Sequence, residues 1–145
     1  MKGMSRVVFA VFAACALSGA LAAAAPAQPK AVAEPTAGVI LGGKLLWIFR
    51  ASAGGLAPMQ RADACIRRSV EILSDPAASE KDIKIVVPKR TTEPQIWVRQ
   101  HLFVTVTLAD AKINGIDPTG LAKIWANKLY EGLSIARVHR PEEKF

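Results

Sequence analysis

Val39-Ile-Leu-Gly-Gly-Lys-Leu-Leu-Trp-Ile-Phe-Arg50 decides the class of fold. Two runs of apolar, β-branched and aromatic residues flank Gly42-Gly43. Paired glycines supply the positive φ angles that a two-residue hairpin turn demands. The stretch therefore reads as an antiparallel hairpin. Downstream, Asp82–Val87 (DIKIVV), Gln95–Val98 and Leu102–Leu108 read as three more short strands, the last two joined by a turn at Arg99–His101. Between the first hairpin and these strands, Pro58 to Leu73 has helical spacing, with Ala62, Ile66, Val70 and Leu73 expected on the core face. Asp63 and Arg67 lie four apart on its flank in the favourable order, and Ser74-Asp75-Pro76 ends it.

Ala109–Gly115 reads as a turn of helix closing on Asn114-Gly115. Asp117-Pro118 then caps and starts a second long helix. Its stripe is Leu121, Trp125, Leu129 and Leu133, widened by Ile124 and Ala136. The order ββαβββα predicts an α+β domain: one small, mostly antiparallel sheet of about five strands with two main helices on one face.

Residues 1–27 have a different character. Lys2 and Arg6 precede the uncharged run Val7–Leu17, and small residues with Ala-x-Ala triplets follow from Ser18. A basic start, an apolar middle and a small-residue end are the three parts of a cleaved secretory signal. Phe12-Ala-Ala-Cys15 offers an alternative, cleavage and lipidation at Cys15, although its Phe replaces the usual Leu. A retained anchor is disfavoured by the alanine-rich second half. Each alternative puts the remainder outside the cytoplasm, and the expected location is the periplasm. Residues 28–37 read as a flexible tether, 38–137 as the single domain and 138–145 as a polar tail.

Export leaves about 118 residues, enough for one small core. Without Lys2 and Arg6, 17 of the 19 basic residues face 12 acidic ones, a net charge of +5. Such a balance suits anionic surfaces, including lipid head groups. No run of five or six like charges marks a nucleic-acid tail. Of the two cysteines only Cys65 remains, so no intrachain disulfide is expected. On its helix Cys65 falls beside Ala62, Ile66 and Ser69, as a small buried apolar residue does.

The search for chemistry yields little. His101 and His139 have no acid or cysteine at metal-ligand spacing. No Gly-x-Ser-x-Gly elbow occurs, and neither Gly42-Gly43 nor Gly54-Gly55 has the Lys-Ser/Thr sequel of a phosphate loop. Asp110 directly follows a strand, in Val104-Thr-Val-Thr-Leu-Ala-Asp-Ala111. It reads as the cap of the next helical turn, with a ligand or catalytic carboxylate as the alternative use. No cofactor or metal is expected, and a non-enzymatic role is favoured.

Strand alternation points elsewhere. With Leu45/Trp47/Phe49, Ile83/Ile85/Val87, Ile96/Val98 and Leu102/Val104/Val106 facing the helices, the other face carries Leu46, Ile48, Val86, Trp97 and Phe103. Lys44, Arg50, Lys84 and Arg99 ring it. A face that meets only water is mostly polar, so this one is expected to bind a partner: an envelope protein, a second copy or an anionic membrane surface. Leu46, Ile48, Lys84, Val86, Trp97, Arg99 and Phe103 are its candidate residues. Aromatic and basic side chains on a sheet also suit nucleic acid, which the export signal argues against.

Residues 38–136 also resemble the extracytoplasmic region preceding the membrane part of some bacterial small-conductance mechanosensitive channel-like proteins. The resemblance rests on Val39-Ile-Leu-Gly-Gly-Lys-Leu-Leu-Trp47, Pro58 with Arg61-Ala62, Thr105-Val-Thr-Leu-Ala-Asp-Ala111 and Leu121-Ala-x-x-Trp125. It implies an envelope-located sensory or assembly module and supplies no catalytic residue. In those channels hydrophobic helices follow this region, whereas a charged tail follows it here, so a stand-alone module that conducts no ions by itself is expected. Mass spectrometry of the exported protein should find a first residue between Ala23 and Gln28. A diacylated Cys15 at the first position would establish lipidation instead.

Overall fold

The computed structural model describes residues 35–138. The export segment 1–27 with Cys15, residues 28–34 of the tether and residues 139–145 of the tail lie outside the described residues. The hairpin is formed by β1 (Ala37–Leu41) and β2 (Lys44–Phe49), paired antiparallel from Ala37–Phe49 to Leu41–Lys44. Gly42 and Gly43 take φ of 59° and 75° at the turn, as the sequence requires. Gly42 has a second reason to be glycine. A Cβ there would sit 2.8 Å from the Gly132 carbonyl oxygen and 2.9 Å from the Ala136 nitrogen, so the turn lies directly on a helix backbone.

Helix α1 (Pro58–Ser74) follows, and a 3-10 turn at Glu80–Asp82 leads into β3 (Ile83–Val86), β4 (Gln95–Val98) and β5 (His101–Thr105). Helices α2 (Leu108–Asn114) and α3 (Pro118–Val138) complete the described chain. The class is α+β, as expected. The single five-stranded sheet is not. The strands form two antiparallel sheets, β1-β2 and β3-β4-β5. The reason lies at the free edge of β5. The Phe103 carbonyl accepts a hydrogen bond of 2.8 Å from Arg68 Nη1 of α1, and the Cys65 thiol lies 3.8 Å from the same oxygen. Helix α1 thus occupies the place where a neighbouring strand would pair.

Each sheet also carries a bulge, and the bulges correct the expected faces. Val39 pairs with Trp47 but Ile40 pairs with Leu45, which leaves Leu46 as an extra residue in β2. Ile96 pairs with Val104 but Trp97 pairs with Leu102, which leaves Phe103 extra in β5. An extra residue breaks the alternation of side chains locally. Leu46 with Trp47, and Phe103 with Val104, are consequently all buried. Leu45, expected inside, is 49 % exposed. Leu46 and Phe103 are core residues and leave the proposed contact face.

Helix α1 is turned from its expected orientation as well. Its buried residues are Pro58, Arg61, Ala62, Cys65, Ser69 and Ile72, while Ile66 and Val70 face outward at 46 % and 61 % exposure. Cys65 is buried as expected. Helix α3 follows its reading, with Leu121, Trp125, Leu129 and Leu133 buried, except that Ile124 is exposed. The two sheets and helices α1 and α3 share one core. At its centre Trp47 stacks on Trp125 with ring centroids 4.6 Å apart and planes 5° apart, and Phe103 meets Trp47 edge-on at 5.8 Å. Such arrangements match the quadrupoles of the rings.

The two readings of Phe103 differ sharply in energy. As a core ring, its truncation in Phe103→Ala should cost about 3–5 kcal/mol. As a surface ring it should cost about 0.5 kcal/mol or less. Urea unfolding of the variant should give the larger loss.

Candidate functional site

Asp110 and Arg61 form the most concentrated polar cluster. Thr107 precedes α2, and its Oγ1 accepts from the Asp110 backbone N–H at 3.2 Å. In return Asp110 Oδ2 accepts from the Thr107 backbone N–H at 3.1 Å and from its hydroxyl at 2.8 Å. The expected cap is thus shifted: Thr107 is the N-cap, and Asp110 is the third helical residue that completes a reciprocal capping box. What the sequence did not reveal is the partner. Arg61 donates through Nη1 to Oδ1 at 2.8 Å and through Nη2 to Oδ2 at 2.5 Å, with both side chains buried. Arg61 Nη1 also reaches the Ala51 carbonyl at 2.9 Å, and its guanidinium carbon sits 4.0 Å from the centre of the Phe49 ring. Both Asp110 oxygens are thus engaged by the protein itself.

Beside this cluster a cavity of about 280 Å³ is lined by Phe49, Arg61, Cys65, Arg68, Glu93 and Thr105, among others. Burial pushes the Cys65 thiol up to about 12, against the opposing fields of Arg68 and Arg61. A thiol so placed stays protonated at neutral pH and is a poor nucleophile. Glu93 is committed too, accepting from the Leu108 N–H at 3.0 Å. Elsewhere the Ala77 backbone N–H, with help from His101, holds the Asp75 carboxyl below its usual range. The Ser79 hydroxyl and N–H do the same for Asp82. The support that these two carboxylates give is lost as pH falls through and below that range. Among the described residues no group of three or more His, Cys, Asp or Glu side chains is placed to hold a metal ion, and no helix is long and apolar enough to cross a membrane.

The candidate contact residues do not form one surface. Lys84 and Trp97 are a directly opposed pair of the second sheet, and Val86, two residues on, pairs with Gln95. The Trp97 indole N–H donates to Gln95 Oε1 at 3.1 Å, so that ring is half-buried and held. Arg99 stands in the β4–β5 turn at φ 56° and donates to the Ala77 carbonyl at 2.8 Å. Ile48 and Leu46 belong to the other sheet, and Leu46, like Phe103, is inside.

Ile48 nevertheless marks the more apolar surface. Ile40 and Leu45 are cross-strand partners beside it, at 59 % and 49 % exposure. Where this face meets the α2–α3 corner, exposed Ile116 and Ile124 join it along a groove of about 250 Å³. Trp47 and Trp125 contribute to the groove's buried wall, and Arg50 and Lys128 to its rim. Arg50 and Lys128 make no ion pair among the described residues, whereas nearby Lys44 is paired with Glu131. The Trp47 indole N–H is buried and has no hydrogen-bond acceptor among the described residues. Sequence reasoning found Ile48, Lys44 and Arg50 here but missed Ile40, Leu45, Ile116 and Ile124.

A thiol raised this far should react slowly. In native protein at pH 8, Ellman's reagent should label Cys65 at least 100-fold more slowly than in the urea-unfolded chain. Equal rates would place the thiol outside the core. Because its folded value lies above the unfolded one of about 9, the stability it supports is full below pH 9 and is lost as pH rises towards 12.

No curated protein and no solved structure matches the chain. Residues 38–136, nearly the whole described domain, match the model of a family described as a domain of unknown function, DUF8459. The chain belongs to the DUF8459 family.

Proposed function

We propose that this chain is an exported, non-enzymatic module of the cell envelope that binds a protein partner, or a second copy of itself, through the outer face of the β1–β2 hairpin. The observation that carries the reading is the contiguous set Ile40, Leu45 and Ile48, extended by Ile116 and Ile124 and edged by Arg50 and Lys128. Connected apolar patches of this kind, rimmed by polar groups, are characteristic of interaction surfaces. The leader-like residues 1–27 support export, and the resemblance to channel-associated extracytoplasmic regions supports a role beside an envelope assembly of that type. Use of Asp110 as a ligand or catalytic carboxylate would first require breaking its bonds to Arg61 and Thr107.

Crosslinking followed by pull-down from envelope extract, with sedimentation of the purified chain, tests the surface. Ile40→Asp and Ile48→Asp should each weaken association about 10-fold or more, as loss of a central anchor does. Melting temperatures should stay within a few degrees, because both side chains face out. Ile66→Asp, on the exposed side of α1, should leave association unchanged. Full association by the Ile40→Asp/Ile48→Asp double variant would overturn the reading.

A further inference from the structure

The three-stranded sheet offers a second surface, independent of the hairpin face. We infer that the open edge of β3 is a peptide-binding site. An extended segment of a partner protein adds to it as a fourth strand and sets an acidic residue opposite Lys84.

The register shows which main-chain groups are free. Ile83 pairs with Val98 and Ile85 with Ile96, and the Arg99 N–H donates to the Asp82 carbonyl at 3.1 Å. Hydrogen-bonded and non-hydrogen-bonded pairs alternate along an antiparallel ladder. Asp82, Lys84 and Val86 therefore bond towards β4, while Ile83 and Ile85 turn their main-chain groups to the outer edge. The Ile83 carbonyl and both the N–H and the carbonyl of Ile85 have no hydrogen-bond partner among the described residues. At the other edge of the sheet Arg68 of α1 bonds to β5 instead. Donors and acceptors at strand spacing are a template for one kind of occupant, another extended chain.

The space beside this edge suits a single strand. A groove of about 360 Å³ lies between Ile83 and Ile85 on one side and Ala126, Asn127 and Tyr130 of α3 on the other, with Glu80 and Lys81 where the chain enters β3. Neither the Asn127 amide nor the Tyr130 hydroxyl has a hydrogen-bond partner among the described residues, so both are free to bond a docked segment. Charge narrows the occupant further. Glu80 and Lys81 offset one another, whereas exposed Lys84 makes no ion pair among the described residues. An acidic residue directly across from it is the favourable cross-strand neighbour. A second copy of the chain fits less well, because a lysine inside a four-residue edge strand deters pairing between identical edges.

Titration of the ¹⁵N-labelled full chain with capped peptides tests the inference. The probe is acetyl-Thr-Val-Glu-Val-Thr-amide, and its counterpart carries Lys in place of Glu. The acidic probe should shift the Ile85 amide resonance and slow its exchange with solvent, and the Lys peptide should bind severalfold more weakly. Lys84→Glu should reverse that preference. N-methylation of the two valines and N-methylation of the glutamate remove donors from opposite edges of an extended peptide. One of these two forms should lose about 10-fold in affinity, as loss of main-chain hydrogen bonds does, and the other should bind as the parent does. Ile85→Pro removes the outward N–H and no ladder bond, so it should weaken the probe by about as much. If that variant fails to fold, Lys84→Glu and the N-methylated peptides decide. Loss by neither N-methylated form, loss by both alike, or shifts that spare Ile85 would overturn the inference. An Ile85 amide shift that changes on dilution of the free chain would assign the edge to a second copy and overturn it too.

Discussion

The Arg61–Asp110 pair is the constraint around which the domain is organised. A carboxylate and a guanidinium buried this deeply each lose several kcal/mol of hydration, which only close, bidentate geometry with further hydrogen bonds restores. That geometry is present: two charge-assisted bonds between the side chains, a Thr107 box on one side and the Ala51 carbonyl on the other. The pair therefore fixes α1, the loop after β2 and the start of α2 with respect to one another. It also seats the guanidinium 4.0 Å from the centre of the Phe49 ring, the edge of the aromatic cluster. From there Phe49 meets Trp125 edge-on at 5.6 Å, and Trp125 stacks on Trp47.

That chain of contacts leads from the buried ions to the outer groove. Trp47 is held on one side by Trp125 and on the others by Phe49 and Phe103. The bulge at Leu46 lets two consecutive β2 side chains enter the core and leaves Leu45 and Ile48 outside. The hairpin turn is fastened to α3 by the close approach of Gly42 to the Gly132 carbonyl. The surface feature that supports a docking role is thus a consequence of core packing. The most evident chemical candidate, Asp110, is occupied inside the fold.

Much of the fold was legible in residue order. Gly42-Gly43 between β-rich runs, Asp117-Pro118 at a helix start and the four-residue repeat of Leu121, Trp125, Leu129 and Leu133 each have a local physical cause, and each element formed. Three features had no local signal. Strict alternation cannot show which residue of Leu45-Leu46-Trp47 or Leu102-Phe103-Val104 a bulge will absorb, because every candidate is apolar. Helix α1 carries apolar residues on two sides, so Ile66 and Val70 looked as suited to the core as Cys65 and Ile72. The division into two sheets goes with α1 lying at the β5 edge, where Arg68 and Cys65 meet the Phe103 carbonyl, contacts 35 residues or more apart in the chain. The candidate site suffered from the same cause, since a face assigned by parity fails once parity is interrupted. Arg61 could have been noticed one helical turn before Cys65, but nothing in the order of residues paired it with Asp110.

The central claim is that Asp110 is the internal counter-ion of Arg61 and therefore structural. A double-mutant cycle with Arg61→Met, Asp110→Asn and the double variant, followed by equilibrium urea unfolding, tests it most directly. Each single change should cost about 3–5 kcal/mol, since it leaves the other group buried without its partner. The double variant should cost no more than the worse single one, a coupling of about 2 kcal/mol or more. Additive losses, with a coupling below about 0.5 kcal/mol, would contradict the account and release Asp110 for another role.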